Sequence, residues 1–327
     1  AFNEPVLIDR LINAKGTVTA VNVTVNMPID SLSAPMDVML YVRKMVAEWS
    51  VKYPQYDTYI SGQVMLNGSF AEITMKDIGT LIPLMFLVIL IMVFLTTGSL
   101  SNMITSLFVL IFSIVTAMGI AGWMGVELTG PSSAAPTMIM TLAIADSIHL
   151  LVTILQLMRN GMKKDDAIVE SLRVNFMPIL ITSVTTIIGF LTLNLSEGAP
   201  FHDLGNITAI GVATAFVLSI TLLPALVAIL PLKVKVRKEK KNQTSLLDAL
   251  AIFIIRKRKM VLILSLLAVF GVSYLSIKNE LNNKFVEFFD ESVPFRSDTD
   301  FISDNLTGIY NIEYSLGSGE ADGISDP

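Results

Sequence analysis

Asp146 is the acidic residue that composition alone does not account for. It stands inside an apolar stretch, Pro136–Met158, and no other Asp or Glu falls within any of the long apolar runs of this sequence. Ten residues separate it from Pro136, so at ~1.5 Å per helical residue it lies about 15 Å deep, near a bilayer midplane. A charged carboxylate there costs roughly 2.5–3.5 kcal/mol on insertion scales. A group that gains and loses a proton at that depth is what a proton relay requires. His149 follows at i+3 and Thr153 at i+7, so the three share a helical face.

The next apolar run supplies polar partners of a different kind. Thr182, Thr185, Thr186 and Gly189 fall at i, i+3, i+4 and i+7, one stripe of small and hydroxyl-bearing residues suited to close helix contact. Gly211, Ala215 and Ser219 repeat every four residues in the run after that, and Pro224 removes a backbone bond and predicts a kink. A bland reading competes at each position. Asp146 could be a permanently protonated acid bonded to a threonine, His149 a packing residue, and the threonines helix glue. A metal at Asp146 and His149 would need further ligands that the runs do not supply, and no cofactor is indicated.

These residues need helices to hold them across a membrane. Of 327 residues, 53% are hydrophobic and 16% charged, against roughly a quarter charged in soluble domains. Six stretches are long enough to span, at roughly 20 residues each: Ile78–Leu95, Met103–Trp123, Pro136–Met158, Pro178–Leu195, Ile207–Pro231 and Met260–Ile277. Lipid offers no partner to free backbone groups, so each is a helix. Residues 78–231 thus form a five-helix membrane block, and 260–277 the sixth span. Leu246–Ile255 is shorter and predicts an interfacial helix within the basic linker between them, residues 232–259.

Lys and Arg are segregated. Arg159, Lys163, Lys164, Arg173 and the run from Lys233 to Lys259 lie on one side, whereas the loops Met124–Ala135 and Ser196–Asn206 hold neither residue type. The basic side is therefore cytoplasmic. Residues 1–77 and 278–327 both face outward, to the periplasm or beyond, as an even number of spans requires. Asp165 and Asp166 open a cytoplasmic helix, 165–176, with Ile168, Val169, Leu172 and Phe176 on its apolar face.

In the first outer segment, Thr17–Met27 alternates as a strand does, Ser33 and Pro35 open a helix, and Tyr56–Leu66 reads as a second strand. Asn67-Gly68 ends that strand, and Ser69–Lys76 leads as a helix into the first span. This predicts the closing part of an α+β domain. Residues 278–327, with turns at Gly308 and Gly317 and an end at Ser325-Asp326-Pro327, read as the opening of a second. The start at Ala1 and this end suggest a fragment or a processed form. No cysteine is present, and no Gly-x-x-x-x-Gly-Lys-Ser/Thr phosphate loop or enzymatic constellation stands out.

Taken in order, "LAIADSIHLL" (Leu142–Leu151), "PILITSVTTIIGFLTLNLS" (Pro178–Ser196) and "GVATAFVLSITLLPALVAI" (Gly211–Ile229) resemble the resistance-nodulation-division superfamily. The resemblance is to its lipid-exporting, large mycobacterial-type branch, related to Patched-like sterol-sensing proteins. It implies a polytopic α-helical membrane protein, residues 78–277 matching helices two to seven of a twelve-helix pump, with partial α+β outer domains. It also implies that Asp146 relays protons, with His149 fitting some branches. Leu142 stands where the family often has Gly, and Ser147 where many members have Tyr. The expected function is proton-driven export of hydrophobic or amphiphilic molecules from a bacterial inner membrane. The alternatives are a non-pumping sterol- or lipid-sensing module and an accessory subunit of protein translocation. The implied partners are membrane lipids, the substrate, the other half of the pump and a further copy of the chain; no nucleic acid is implied.

Overall fold

A computed structural model describes residues 7–28, 34–126, 128–232, 246–279 and 284–307. Ser33, the basic residues from Lys233 to Lys241, and the turns and end after residue 307 lie outside the described residues. Ten α-helices are described: α1 (Ala34–Lys52), α2 (Gln63–Thr97), α3 (Leu100–Trp123), α4 (Ala135–Arg159), α5 (Lys164–Leu191), α6 (Ala199–Ile220), α7 (Leu222–Ile229), α8 (Leu246–Arg256), α9 (Arg258–Leu275) and α10 (Pro294–Asn305). Among the described residues, six helical stretches are long and apolar enough to cross a membrane: Gln63–Thr97, Leu100–Trp123, Ser132–Arg159, Lys164–Leu195, Pro200–Ile229 and Arg258–Lys278. Each contains one of the six runs expected from the sequence, save for the last residues of the fifth. The chain forms two compact units, one from residues within Ala1–Met75 and Asn282–Pro327, the other from Lys76–Leu281.

The membrane unit is built around α6, which packs on α3, α4 and α5. Its core is stacked in apolar layers. Ala117, Ala121, Ala135, Ile139, Leu204 and Ile207 form one; Leu110, Met140, Ala143 and Ala215 the next; Val109, Leu150, Leu151, Leu223 and Val227 belong to a third. These are mostly small or branched side chains, which allow close helix approach where lipid gives no hydrophobic drive. Gly211 is required at such a contact: a Cβ there would stand 2.3 Å from two side-chain carbons of Ile139. The fifth span breaks at Thr221 (φ −116°, ψ −66°) into α6 and α7. Pro224, three residues on, cannot donate to the Ile220 carbonyl, so the break sits where the predicted kink belongs.

Helix α5 differs from expectation. The helix expected over residues 165–176 and the fourth span are one continuous helix, with Pro178 inside it. The ring of Pro178 removes a single N–H without ending the helix, because packing against α4 and α6 holds the helix on course. Helix α8 is present where the short apolar run predicted it, and α9 buries none of its residues.

The second unit, built from chain flanking the membrane spans, corrects the strand expectations. Among the described residues there is no strand, only isolated bridges linking Ile8 to Ile12 and Ile12 to Thr19. Val21 and Val23, 87% and 70% exposed, face solvent; alternation marks two faces but cannot supply the partner ladder a strand needs. Tyr56–Leu66 is not a strand either, because α2 begins at Gln63 and runs straight through Asn67-Gly68. Gly68 serves as a contact point rather than a breaker. A Cβ there would lie 2.8 Å from Met39 Cβ and 3.0 Å from the Pro35 carbonyl, so its bare backbone is what lets α1 and α2 meet.

The two flanking segments build one core. Met39, Met65, Leu66, Val286, Phe289 and Phe295 are buried together. Around it, Ser61 and Thr299 share a hydrogen bond of 2.7 Å, Tyr59 stacks on Phe301 at 3.7 Å, and Arg43 pairs with Glu72 at 2.8 Å. The Ile60 amide donates to Asp298 at 3.0 Å. Burial holds the Asp298 carboxyl above its ordinary range, partly offset by this bond and by Arg43.

Candidate functional site

Asp146 stands in the middle of α4, with Ala143 and Ser147 buried beside it. It is 9% exposed. Its Oδ2 accepts a hydrogen bond of 3.4 Å from Ser183 Oγ of α5. A short connection explains the pairing. A turn closed by Gly161, whose φ of +94° suits a residue without a side chain, sends α5 back antiparallel along α4.

The same interface is laced at two more levels. Ser171 Oγ donates to the Leu150 carbonyl at 2.9 Å, and Asn175 Nδ2 donates to Thr153 Oγ1 at 3.0 Å. Side-chain bonds between helices in a membrane contribute modestly, ~0.6 kcal/mol on average. What they fix is register, and thereby the position of the carboxyl.

The other predicted site residues are placed differently. His149 is exposed on α4, and its ring makes no hydrogen bond among the described residues. Thr153 instead bonds back to the His149 carbonyl at 2.8 Å. Thr182 and Thr185 are exposed and Thr186 half-buried. All three hydroxyls donate to carbonyls of their own helix, Thr182 to Pro178 and Ile179, Thr185 to Ile181 and Thr182, Thr186 to Thr182. Gly189 has open space around it. The threonine stripe therefore does not meet Asp146 within this chain; Ser183 does, and the sequence reading missed it. The readable signal was Ser171 and Ser183 at a spacing that shares a face with the buried Ile168 and Ile179.

Gly205 was also missed. A Cβ on it would stand 2.5 Å from the Phe190 carbonyl, so α6 and α5 touch through backbone there. Lys164, read only as a topology charge, reaches across to the Ala228 and Leu230 carbonyls, at 2.5 and 3.4 Å, at the end of α7. Among the described residues no group of three His, Cys, Asp or Glu could hold a metal ion.

Chemically, the arrangement is a single carboxyl group in an apolar interior with one neutral hydroxyl donor. A group of this kind can gain and lose a proton.

The model of the MMPL family matches residues 2–265. MJ1562 of Methanocaldococcus jannaschii, a protein whose name describes it as a membrane protein, is 34% identical over 143 residues, covering 44% of this chain and 36% of that protein. The matched stretch thus spans about a third of the relative's length.

Proposed function

The chain belongs to the MMPL family, and from that premise we propose that it is part of a secondary exporter in the cytoplasmic membrane, driven by proton influx through Asp146. The cargo is a hydrophobic or amphiphilic molecule of the lipid class. The observation that carries this reading is the burial of Asp146 between α4 and α5 with a hydroxyl as its hydrogen-bond donor. Each charge crossing supplies ~2.3 kcal/mol per 100 mV. Protonation removes the carboxylate's need for polar partners, which lets α4 and α5 shift, and the shift is passed to the outer unit that handles cargo.

The orientation has support of its own. The Ile60–Asp298 and Ser61–Thr299 bonds join chain from before the first span to chain after the sixth. Flanks that share a core lie on one side, as an even number of crossings requires. The remaining half of the pump and further copies of the chain would complete the transporter.

The test uses the full-length protein in sealed vesicles with an imposed proton gradient, following internal pH and release of a lipid-like fluorescent cargo. Asp146→Asn is expected to abolish gradient-dependent export while the protein still inserts and folds. Normal export by that variant refutes the proposal.

A further inference from the structure

The membrane unit contains buried polar groups that a relay through Asp146 and Ser183 does not use. Asn102 Nδ2 and Oδ1, Ser106 Oγ, Thr208 Oγ1 and Ser219 Oγ are all buried, with no hydrogen-bond partner from the protein among the described residues. Leaving such groups unsatisfied is costly. Four of these five atoms belong to neighbouring positions.

Packing fixes where they stand. Leu110 of α3, Met140 and Ala143 of α4, and Ala215 of α6 form one apolar layer. Helix α3 runs antiparallel to α4 and α6. One turn towards the basic end of the unit is therefore four residues back on α3 and four residues on along the other two. Those steps reach Ser106, Ser147 and Ser219, three serines on three helices at one level, each 0% exposed. Ser147 is the residue next to Asp146, and its hydroxyl is spent on the Ala143 carbonyl. A further turn along the same α3 face stands Asn102, 1% exposed. Beyond it, Ser101 Oγ donates to the Pro231 carbonyl at 2.7 Å, where α3 begins and α7 has ended. The polar groups thus run from that end of the helices up to the level of Asp146.

Towards the opposite end Ser113 is satisfied by the Val109 carbonyl, and the next unpartnered polar atom among the described residues belongs to Thr208. The layer of Leu110, Met140, Ala143 and Ala215 is apolar, and above it Ile139 fills the space that Gly211 leaves. Thr208 lies beyond this layer, next to Ile207 in the chain, and is separate from the other three residues.

We propose that Asn102, Ser106 and Ser219 hold ordered water, and that in the conformation described this water connects Asp146 with the basic, cytoplasmic end, the other end being reached after the helices shift. Neutral amide and hydroxyl groups that are buried without a protein partner are the ones a buried water takes, two to four at a time. The three side chains offer donors as well as acceptors, a set that water matches and a bare cation, which takes acceptors alone, does not. The claim about exchange rests on the relay reading of Asp146; the claim about water does not.

Two measurements on the full-length protein in lipid nanodiscs or vesicles test it. A map resolving water is expected to show at least one molecule bridging two of these side chains; dry contact between them overturns the water site. Ser106→Ala combined with Ser219→Ala removes two oxygens and adds no heavy atom, so the protein keeps its fold. Proton uptake coupled to export is expected to slow about tenfold, with Thr208→Ala unchanged. Uptake at the unaltered rate in the double variant, while Asp146→Asn remains inactive, overturns the access route and leaves the relay standing. Bridging water together with full activity of Asp146→Asn does the reverse: the relay falls and the water site holds.

Discussion

Ser183 Oγ stands 3.4 Å from Asp146 Oδ2, the side-chain hydrogen bond that joins α5 to the buried acid of α4. At that length it is a weak bond, worth at most the ~0.5–1.5 kcal/mol of an ordinary neutral one. Ser183→Ala is therefore expected to reduce gradient-driven export a few-fold rather than abolish it, and Ser183→Thr to preserve it. Thr182→Val and Thr185→Val, whose hydroxyls turn back on their own helix, are expected to change export less. Export rates of the four variants in vesicles, normalised to inserted protein, check this; a larger loss from Thr185→Val than from Ser183→Ala would reverse the assignment.

Gly211 and Gly205 offer a contrast in what a single methyl group meets. At Gly211 the obstacle is the Ile139 side chain, at Gly205 the Phe190 carbonyl. Overpacking of this kind costs typically ~1–3 kcal/mol. Gly211→Ala is expected to lower the melting temperature of the detergent-solubilised protein, and Ile139→Ala in the same molecule to recover part of the loss. Gly205→Ala has no such rescue, because backbone cannot be trimmed. Gly189→Ala, with open space around it, is the neutral control.

The spans were legible because roughly 20 apolar residues in a row have few other uses, and Asp146 because it was the sole acid within them. Its partner was not. A membrane helix is apolar on nearly every side, so hydrophobicity does not say which face turns inward. Hydroxyl periodicity singled out Thr182, Thr185 and Thr186, yet threonine in a helix satisfies itself on the preceding turn. Ser183 is one residue away and faces inward because it is small and shares a face with Ile179. The flanking unit was misread for a related reason. Gly68 looked like a breaker, whereas its missing side chain is what lets α2 run past Met39; and Val21 and Val23 alternate without a strand to pair with. Ile60 and Ser61 bond to Asp298 and Thr299, contacts between distant stretches of chain that no local pattern announces.

Lys164 donates to the Ala228 and Leu230 carbonyls at the C-terminus of α7, where a cation also meets the negative end of the helix dipole. Lys164→Met removes both effects and keeps most of the side chain. A loss of ~0.3–1 kcal/mol is expected, concentrated at the end of α7. Hydrogen–deuterium exchange should rise at Val227–Leu230 and remain unchanged in α3. Unchanged exchange at α7 would show that the contact does not hold that end in place.

Asp298 makes the flanking unit sensitive to pH. Burial raises its carboxyl above the ordinary value of 3.8, with the Ile60 amide and Arg43 acting in the opposite direction. The folded unit therefore holds this proton more tightly than the unfolded chain. Its contribution to stability is fully present below the ordinary value and is lost as pH rises through the folded group's own, higher value. Partial solvent exposure keeps the effect small. Asp298→Asn keeps an oxygen to accept from Ile60 and cannot ionise, so it is expected to be the more stable protein on the alkaline side of that window and to converge with the unaltered one in acid. Asp298→Ala leaves the Ile60 amide without its acceptor and is expected to be less stable than Asp298→Asn at every pH. Melting curves of the full-length protein and the two variants, taken from about pH 3 to about pH 8 so as to bracket carboxyl titration, decide it: an advantage for Asp298→Asn that grew towards acid would contradict the direction of the shift.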